Sequence, residues 1–194
     1  MKSLYDFIIS PIGERYNNKK DINGKELILN TNIETFQSVN KKAVVVSTPK
    51  AYTSKIKEGD VVYVHHNVFR RFYDVKGREK NSRSYFKDNL YFCDPLQIYM
   101  YNNKSHLNYC FVAPVFNKDR LNTSLEQTQL GILKYGNKSL DDLKIKPGAL
   151  VTFSPDSEFE FLINGEKLYC MKFNNIALVH EHKRSQKEYN PSWA

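Results

Sequence analysis

Hydrophobic positions along this chain fall in short clusters, separated by polar stretches that carry glycine, proline, asparagine or aspartate. β-Branched and aromatic residues dominate the clusters, as in Phe7-Ile8-Ile9, Val44-Val45-Val46 and Val61-Val62-Tyr63-Val64. No cluster sustains a helical period, so the pattern predicts strands joined by turns. The first half should hold strands at 5–11, 43–47, 61–64, 85–93 and 97–101, and the second half strands at 108–115, 130–135, 149–154, 158–163, 166–172 and 176–182. Leu121 and Leu125 allow at most one helical turn, in a stretch that reads equally well as loop. Asn164-Gly165 is the strongest turn signal, because that pair favours the type I′ conformation that matches strand twist.

The clusters repeat. Lys55-Ile56-Lys57-Glu58-Gly59-Asp60-Val61-Val62 returns as Lys144-Ile145-Lys146-Pro147-Gly148-Ala149-Leu150-Val151, an offset of 89 residues. Leu90-Tyr91-Phe92-Cys93 lies over Leu168-Tyr169-Cys170-Met171 at offset 78, and Ile98 over Ile176 at the same offset. Upstream, Ala43-Val44-Val45-Val46 lies over Gly131-Ile132-Leu133-Lys134 at 88, and Phe7-Ile8-Ile9-Ser10-Pro11 over Cys110-Phe111-Val112-Ala113-Pro114 at 103. The changes of offset place two insertions in the first copy, one between its first two strands and one between its third and fourth. At 194 residues, a duplication predicts two all-β domains: 1–103 with a long loop at 14–42 and an insert at 65–89, then 104–182, then a polar tail at 183–194.

Composition sharpens two points. The long loop is rich in Asn, Lys and Glu, too polar to offset its own ordering entropy, and is expected to be mobile. Inside it sits one apolar island, Leu27-Ile28-Leu29, which the residues alone allow to be a short packed edge strand. The net charge of +8 is also localised, since residues 65–89 hold seven Lys or Arg against three acids. That insert predicts a hairpin with its tip near Lys76-Gly77.

The ordered set Leu143-Lys144-Ile145-Lys146-Pro147-Gly148-Ala149-Leu150-Val151-Thr152-Phe153, Glu166-Lys167-Leu168-Tyr169 and Asn175-Ile176-Ala177-Leu178-Val179 resembles the GroES-type co-chaperonins. Ile56-Lys57-Glu58-Gly59-Asp60-Val61-Val62 repeats the likeness in the first half, so it covers nearly the whole chain, twice. The resemblance implies two tandem irregular β-barrels, a homo-oligomeric ring and a large chaperonin ring as partner. It further implies that Leu27, Ile28 and Leu29 are the apolar tripeptide that docks on that partner. The corresponding loop of the second half, Asn117 to Thr128, has only the scattered Leu121 and Leu125, so one working loop per chain is expected. The connections between second and third strands are short, as in phage co-chaperonins, while the tandem arrangement is similar to the double-domain form of chloroplasts. The Asn, Lys and Tyr bias, with no transit peptide, favours a phage source.

Other chemistry is sparse. In the basic insert, Arg70, Arg71, Arg78 and Arg83 are candidates for a secondary contact, interleaved with Phe69, Phe72, Tyr73, Tyr85 and Phe86. A solvated hairpin with its aromatics turned inward is the plainer reading; single-stranded nucleic acid is the other, and is not an expected partner. No nucleophile, phosphate loop or carboxylate pair predicts an enzyme, and no cofactor is expected, nucleotide being bound by the partner chaperonin. His65-His66 and His180-Glu181-His182 fall short of a metal ligand set. Cys93, Cys110 and Cys170 read as reduced, buried thiols. No apolar run is long enough to span a bilayer, which predicts a soluble cytoplasmic protein without a membrane partner, in host cytoplasm if phage-encoded. The alternative is a phage virion assembly protein that reuses the fold, located in the particle.

Overall fold

In the computed structural model the described residues are 2–16, 19–22, 25–28, 38–116 and 126–180. The chain is all-β and divides into two compact units, Met1–Asn102 and Asn103–Ala194. In chain order the first strands are β1 Phe7–Pro11, β2 Lys19–Ile22, β3 Lys25–Ile28, β4 Lys42–Ser47, β5 Val61–Val64, β6 Arg71–Tyr73, β7 Glu79–Asn81, β8 Tyr85–Lys87, β9 Leu90–Cys93, β10 Ile98–Tyr101 and β11 Lys104–Ser105. There follow β12 Tyr109–Phe116, β13 Glu126–Tyr135, the helix α1 Lys138–Asp142, β14 Leu150–Phe153, β15 Phe159–Ile163, β16 Glu166–Lys172 and β17 Ile176–His180. No helix among the described residues is long and apolar enough to cross a membrane.

The two main sheets have the same plan. The first is ordered β11-β10-β5-β4-β1-β9-β8 and the second β17-β14-β13-β12-β16-β15, so each strand from β10 to β8 has its counterpart from β17 to β15. The registers agree pair by pair. Ile9 faces Val45 and Tyr91, and Val112 faces Leu133 and Tyr169. Even the irregularities recur: the ladder slips between Ile8 and Ile9 and again between Phe111 and Val112. The turn before the third strand is duplicated bond for bond. Gly59 N donates to Val45 O and Gly148 N to Leu133 O, both at 2.8 Å. Gly59 (φ +88°) and Gly148 (φ +94°) lie in the left-handed region, where a side chain would be strained although nothing blocks the space.

Burial follows the same equivalence. Phe7, Ile9, Val45, Val62, Val64, Tyr91, Cys93 and Ile98 pack together in the first unit. Cys110, Val112, Leu133, Val151, Phe153 and Met171 do so in the second, with Tyr169 and Ile176 against them. All three cysteines are free and buried, as expected, and burial pushes the Cys110 thiol up to about 12. In the second unit Lys167 Nζ meets Glu126 Oε1 at 2.7 Å and the Tyr169 hydroxyl donates to Glu126 Oε2, linking β16 to the start of β13. Burial would raise the Glu126 carboxyl, but those hydrogen bonds outweigh it and hold it below the ordinary value.

The all-β class is as expected, without closure into barrels among the described residues, where the outer strands β15 and β17 each pair on one side. Two other expectations change. The single strand expected at 85–93 is a tight hairpin, because Asp88 (φ 46°) and Asn89 (φ 62°) both take left-handed conformations and reverse the chain. A helix forms at Lys138–Asp142, where none was expected. Asn137 caps it by accepting from Leu140 N at 3.0 Å, while its amide donates to Tyr109 O. Leu121 and Leu125, where one turn was allowed, lie outside the described residues.

Candidate partner-binding surface

The insertion between β1 and β4 leaves the first unit from a tightly built root. Tyr16 and Val39, both buried, form an antiparallel bridge there, and Asn40 N donates to Arg15 O at 2.9 Å. Asn40 is buried and employs its whole amide: Nδ2 donates to Ile12 O (2.8 Å) and Glu14 O (2.9 Å), and Oδ1 accepts from Lys42 N (2.9 Å). A buried amide is tolerated only when its bonding capacity is met, so this side chain fixes both ends of the insertion. Within the insertion, β2 and β3 form a two-stranded sheet of their own, pairing Lys19 with Ile28 and Lys20 with Leu27. Leu27 and Ile28 therefore lie on a strand, in a sheet separate from the main one; Leu29 lies outside the described residues.

The basic insert is anchored to that root. Arg15 directs Nε and Nη2 at Phe69 O (3.2 and 2.7 Å) and Nη1 at Asn81 Oδ1 (2.7 Å), and its guanidinium lies 5.2 Å from the centre of the Tyr91 ring. Burial pulls the Arg15 pKa down, with Tyr91 acting in the opposite sense, yet a guanidinium so bonded stays charged. The Tyr16 hydroxyl accepts from Arg71 N at 2.6 Å, and the Arg71 guanidinium sits 5.5 Å from the Tyr16 ring centre. Ser82 Oγ donates to Val68 O at 2.6 Å and closes the base of the hairpin.

Above this base β6 and β7 pair Arg71 with Asn81, Phe72 with Lys80 and Tyr73 with Glu79. Asp74 builds the tip. Its Oδ1 accepts from Lys76 N and Arg78 N, each at 2.9 Å, and its Oδ2 accepts from Arg78 Nε at 2.9 Å. The tip contains Lys76-Gly77, where the sequence predicts it, with Gly77 at φ +71°. The aromatics are not all turned inward: Phe69 is fully buried, but Phe72, Tyr73 and Tyr85 are about two-fifths exposed and Val75 is wholly exposed.

The four candidate arginines share this hairpin but do different work. Arg71 is paired with Glu79 at 3.2 Å and Arg78 with Asp74, so both hold the hairpin together. Arg70 lies over the Phe72 ring at 5.2 Å, and Arg83 is exposed. Sequence reasoning missed Arg15 and Tyr16. Their signal is faint: one aromatic inside a polar stretch, which pays its way only by burial.

Among the described residues the histidines are used in packing and hydrogen bonding. His65 and His66 stack with ring centres 4.2 Å apart, and burial, reinforced by His65, Lys41 and Arg70, lowers the His66 pKa to about 4. His180 Nε2 is 2.9 Å from Thr152 Oγ1, while Glu181 and His182 lie outside the described residues. Among the described residues no three His, Cys, Asp or Glu side chains converge as metal ligands. Comparison with models of known protein families and with curated proteins finds no match to the chain.

Proposed function

We propose that the protein is a co-chaperonin, which caps a large chaperonin ring through the apolar segment of its first unit. One observation carries the reading: the insertion that bears Leu27 and Ile28 leaves a rigid root between the first two strands of the main sheet, the place where the resemblance puts a docking loop. The duplicated strand order, which agrees with the sequence offsets residue by residue, adds support. The second unit builds the same sheet with a shorter connection from Phe116 to Glu126 and serves assembly rather than docking.

Such a protein performs no covalent chemistry. Its apolar segment must be ordered on docking, which makes each contact weak and reversible. A homo-oligomeric ring presents several segments together, and the resulting avidity exceeds single-site affinity by on the order of a hundredfold or more. The test is co-elution with a purified large chaperonin, with and without nucleotide, beside a variant carrying Leu27→Ser, Ile28→Ser and Leu29→Ser. Nucleotide-dependent binding lost in the variant is the expected result. Absence of binding by the parent protein would transfer the assignment to a virion assembly component.

A further inference from the structure

The root of the apolar insertion and the base of the basic hairpin are joined by direct bonds: Arg15 to Phe69 O and Asn81, and Arg71 N to the Tyr16 hydroxyl. Arg15 and Tyr16 belong to the root of the insertion, so the hairpin cannot reorient without disturbing that root. We infer that the hairpin is a second attachment point for the same protein partner, reading an acidic surface with a small apolar spot beside the groove that takes Leu27 and Ile28. This rests on the co-chaperonin reading.

The side chains divide accordingly. Arg71, Arg78, Glu79 and Asp74 are consumed within the hairpin and stiffen it. The half-buried Arg70, which lies over the Phe72 ring, and the exposed Lys76 and Arg83 are outside those ion pairs, and Phe72 and Val75 of the same insert are exposed. An exposed ring beneath a guanidinium and a bare valine at a rigid tip are costly to leave in water and gain by burial against a partner. Residues 65–89 carry seven Lys or Arg and three acids, so the complementary surface is acidic and its attraction is screened by salt. A strong basic field beside a weak apolar anchor speeds encounter and fixes orientation, which the apolar segment alone does not supply.

The experiment measures affinity of the full chain for the purified chaperonin from about 50 to about 500 mM salt, where screening of exposed charges changes most. The parent protein is compared with an Arg70→Glu, Lys76→Glu, Arg83→Glu variant and with the serine variant of the apolar segment; all three are checked for equal thermal stability. The hairpin variant should bind about tenfold or more weakly at low salt, with a flattened salt dependence, while the serine variant loses binding at every salt concentration. Parent-like affinity and salt slope in the hairpin variant overturn the inference and leave the co-chaperonin reading intact. Undiminished binding by the serine variant overturns that reading instead. Retention of a labelled single-stranded oligonucleotide by the parent, lost in the hairpin variant while chaperonin binding is kept, assigns the surface to nucleic acid and also overturns the inference.

Discussion

At the scale of single residues, the repeat lets one unit act as a control for the other. Ala43 and Gly131 are equivalent, each on the second strand of its sheet and each facing a proline, Pro11 or Pro114. Yet a Cβ on Gly131 would lie 2.2 Å from Val112 Cγ1 and 2.7 Å from Ala113 O, too close for either neighbour to remain in place. Gly131→Ala should therefore destabilise the second unit by about 1–3 kcal/mol, as other overpacked cores do. Ala43→Gly leaves a smaller defect in the first unit, so chemical denaturation of the two variants should show the larger loss for the change that adds an atom. An equal or smaller loss for Gly131→Ala would mean that the β12–β13 ladder is softer than its packing indicates. Cys110 and Cys170 show what sequence could and could not convey at this scale. Their apolar surroundings made them core residues on inspection, whereas the crowding at Gly131 depends on which rotamer Val112 adopts across the ladder.

Among the elements, the main sheets were legible because each strand carries its own turn signal and the repeat fixes their alignment. Gly59 and Gly148 mark the same turn, and offsets of 103, 88, 89 and 78 reproduce the observed pairings of Ile9, Val45, Val62 and Tyr91 with their counterparts. What stayed hidden depends on contacts distant in sequence. Arg15 meets Phe69 and Asn81, which lie 54 and 66 residues away, and no local pattern announces such a bond. Asp88-Asn89 is a weak turn signal because it interrupts an otherwise continuous aromatic run, although both residue types tolerate the left-handed conformation the turn needs. The root of the insertion yields a prediction at this scale. Asn40→Ala leaves the carbonyls of Ile12 and Glu14 and the N–H of Lys42 without their side-chain partner, at a cost of about 1–3 kcal/mol per group that finds no replacement. Hydrogen exchange should then accelerate at Ile12, Asn40 and Lys42 while the Val62 and Val64 amides keep their protection. Uniform acceleration across the first unit would show that Asn40 supports the whole sheet rather than the root.

For the whole molecule, pH provides a test that reaches both units. His66 in the first and His106 in the second are each lowered from 6.5 to about 4, in both cases chiefly by burial, with the charges of Lys41 and Arg70 adding to the effect at His66. His106 is 7% exposed. A histidine whose folded pKa lies below its unfolded value takes up its proton preferentially in the unfolded chain. Stability is therefore complete above about pH 6.5 and is lost as pH falls toward about 4, the reverse of a histidine paired with a carboxylate. Glu126 acts in a separate window, because its lowered pKa contributes stability that disappears only as pH falls below 4.5 and through its folded value. Thermal melts between about pH 7.5 and about pH 4.5 isolate the histidine effect from the carboxylate one. Melting temperature should hold steady down to the histidine range and then decline. His66→Gln should flatten the decline of the first unit, and His106→Gln that of the second. If one variant flattened both, the two units would be unfolding as a single cooperative body; if neither did, His65, lowered by burial and by Lys41, is the next to replace, because Asp6, raised by burial and by Asp94, gains stability as pH falls and cannot produce a decline.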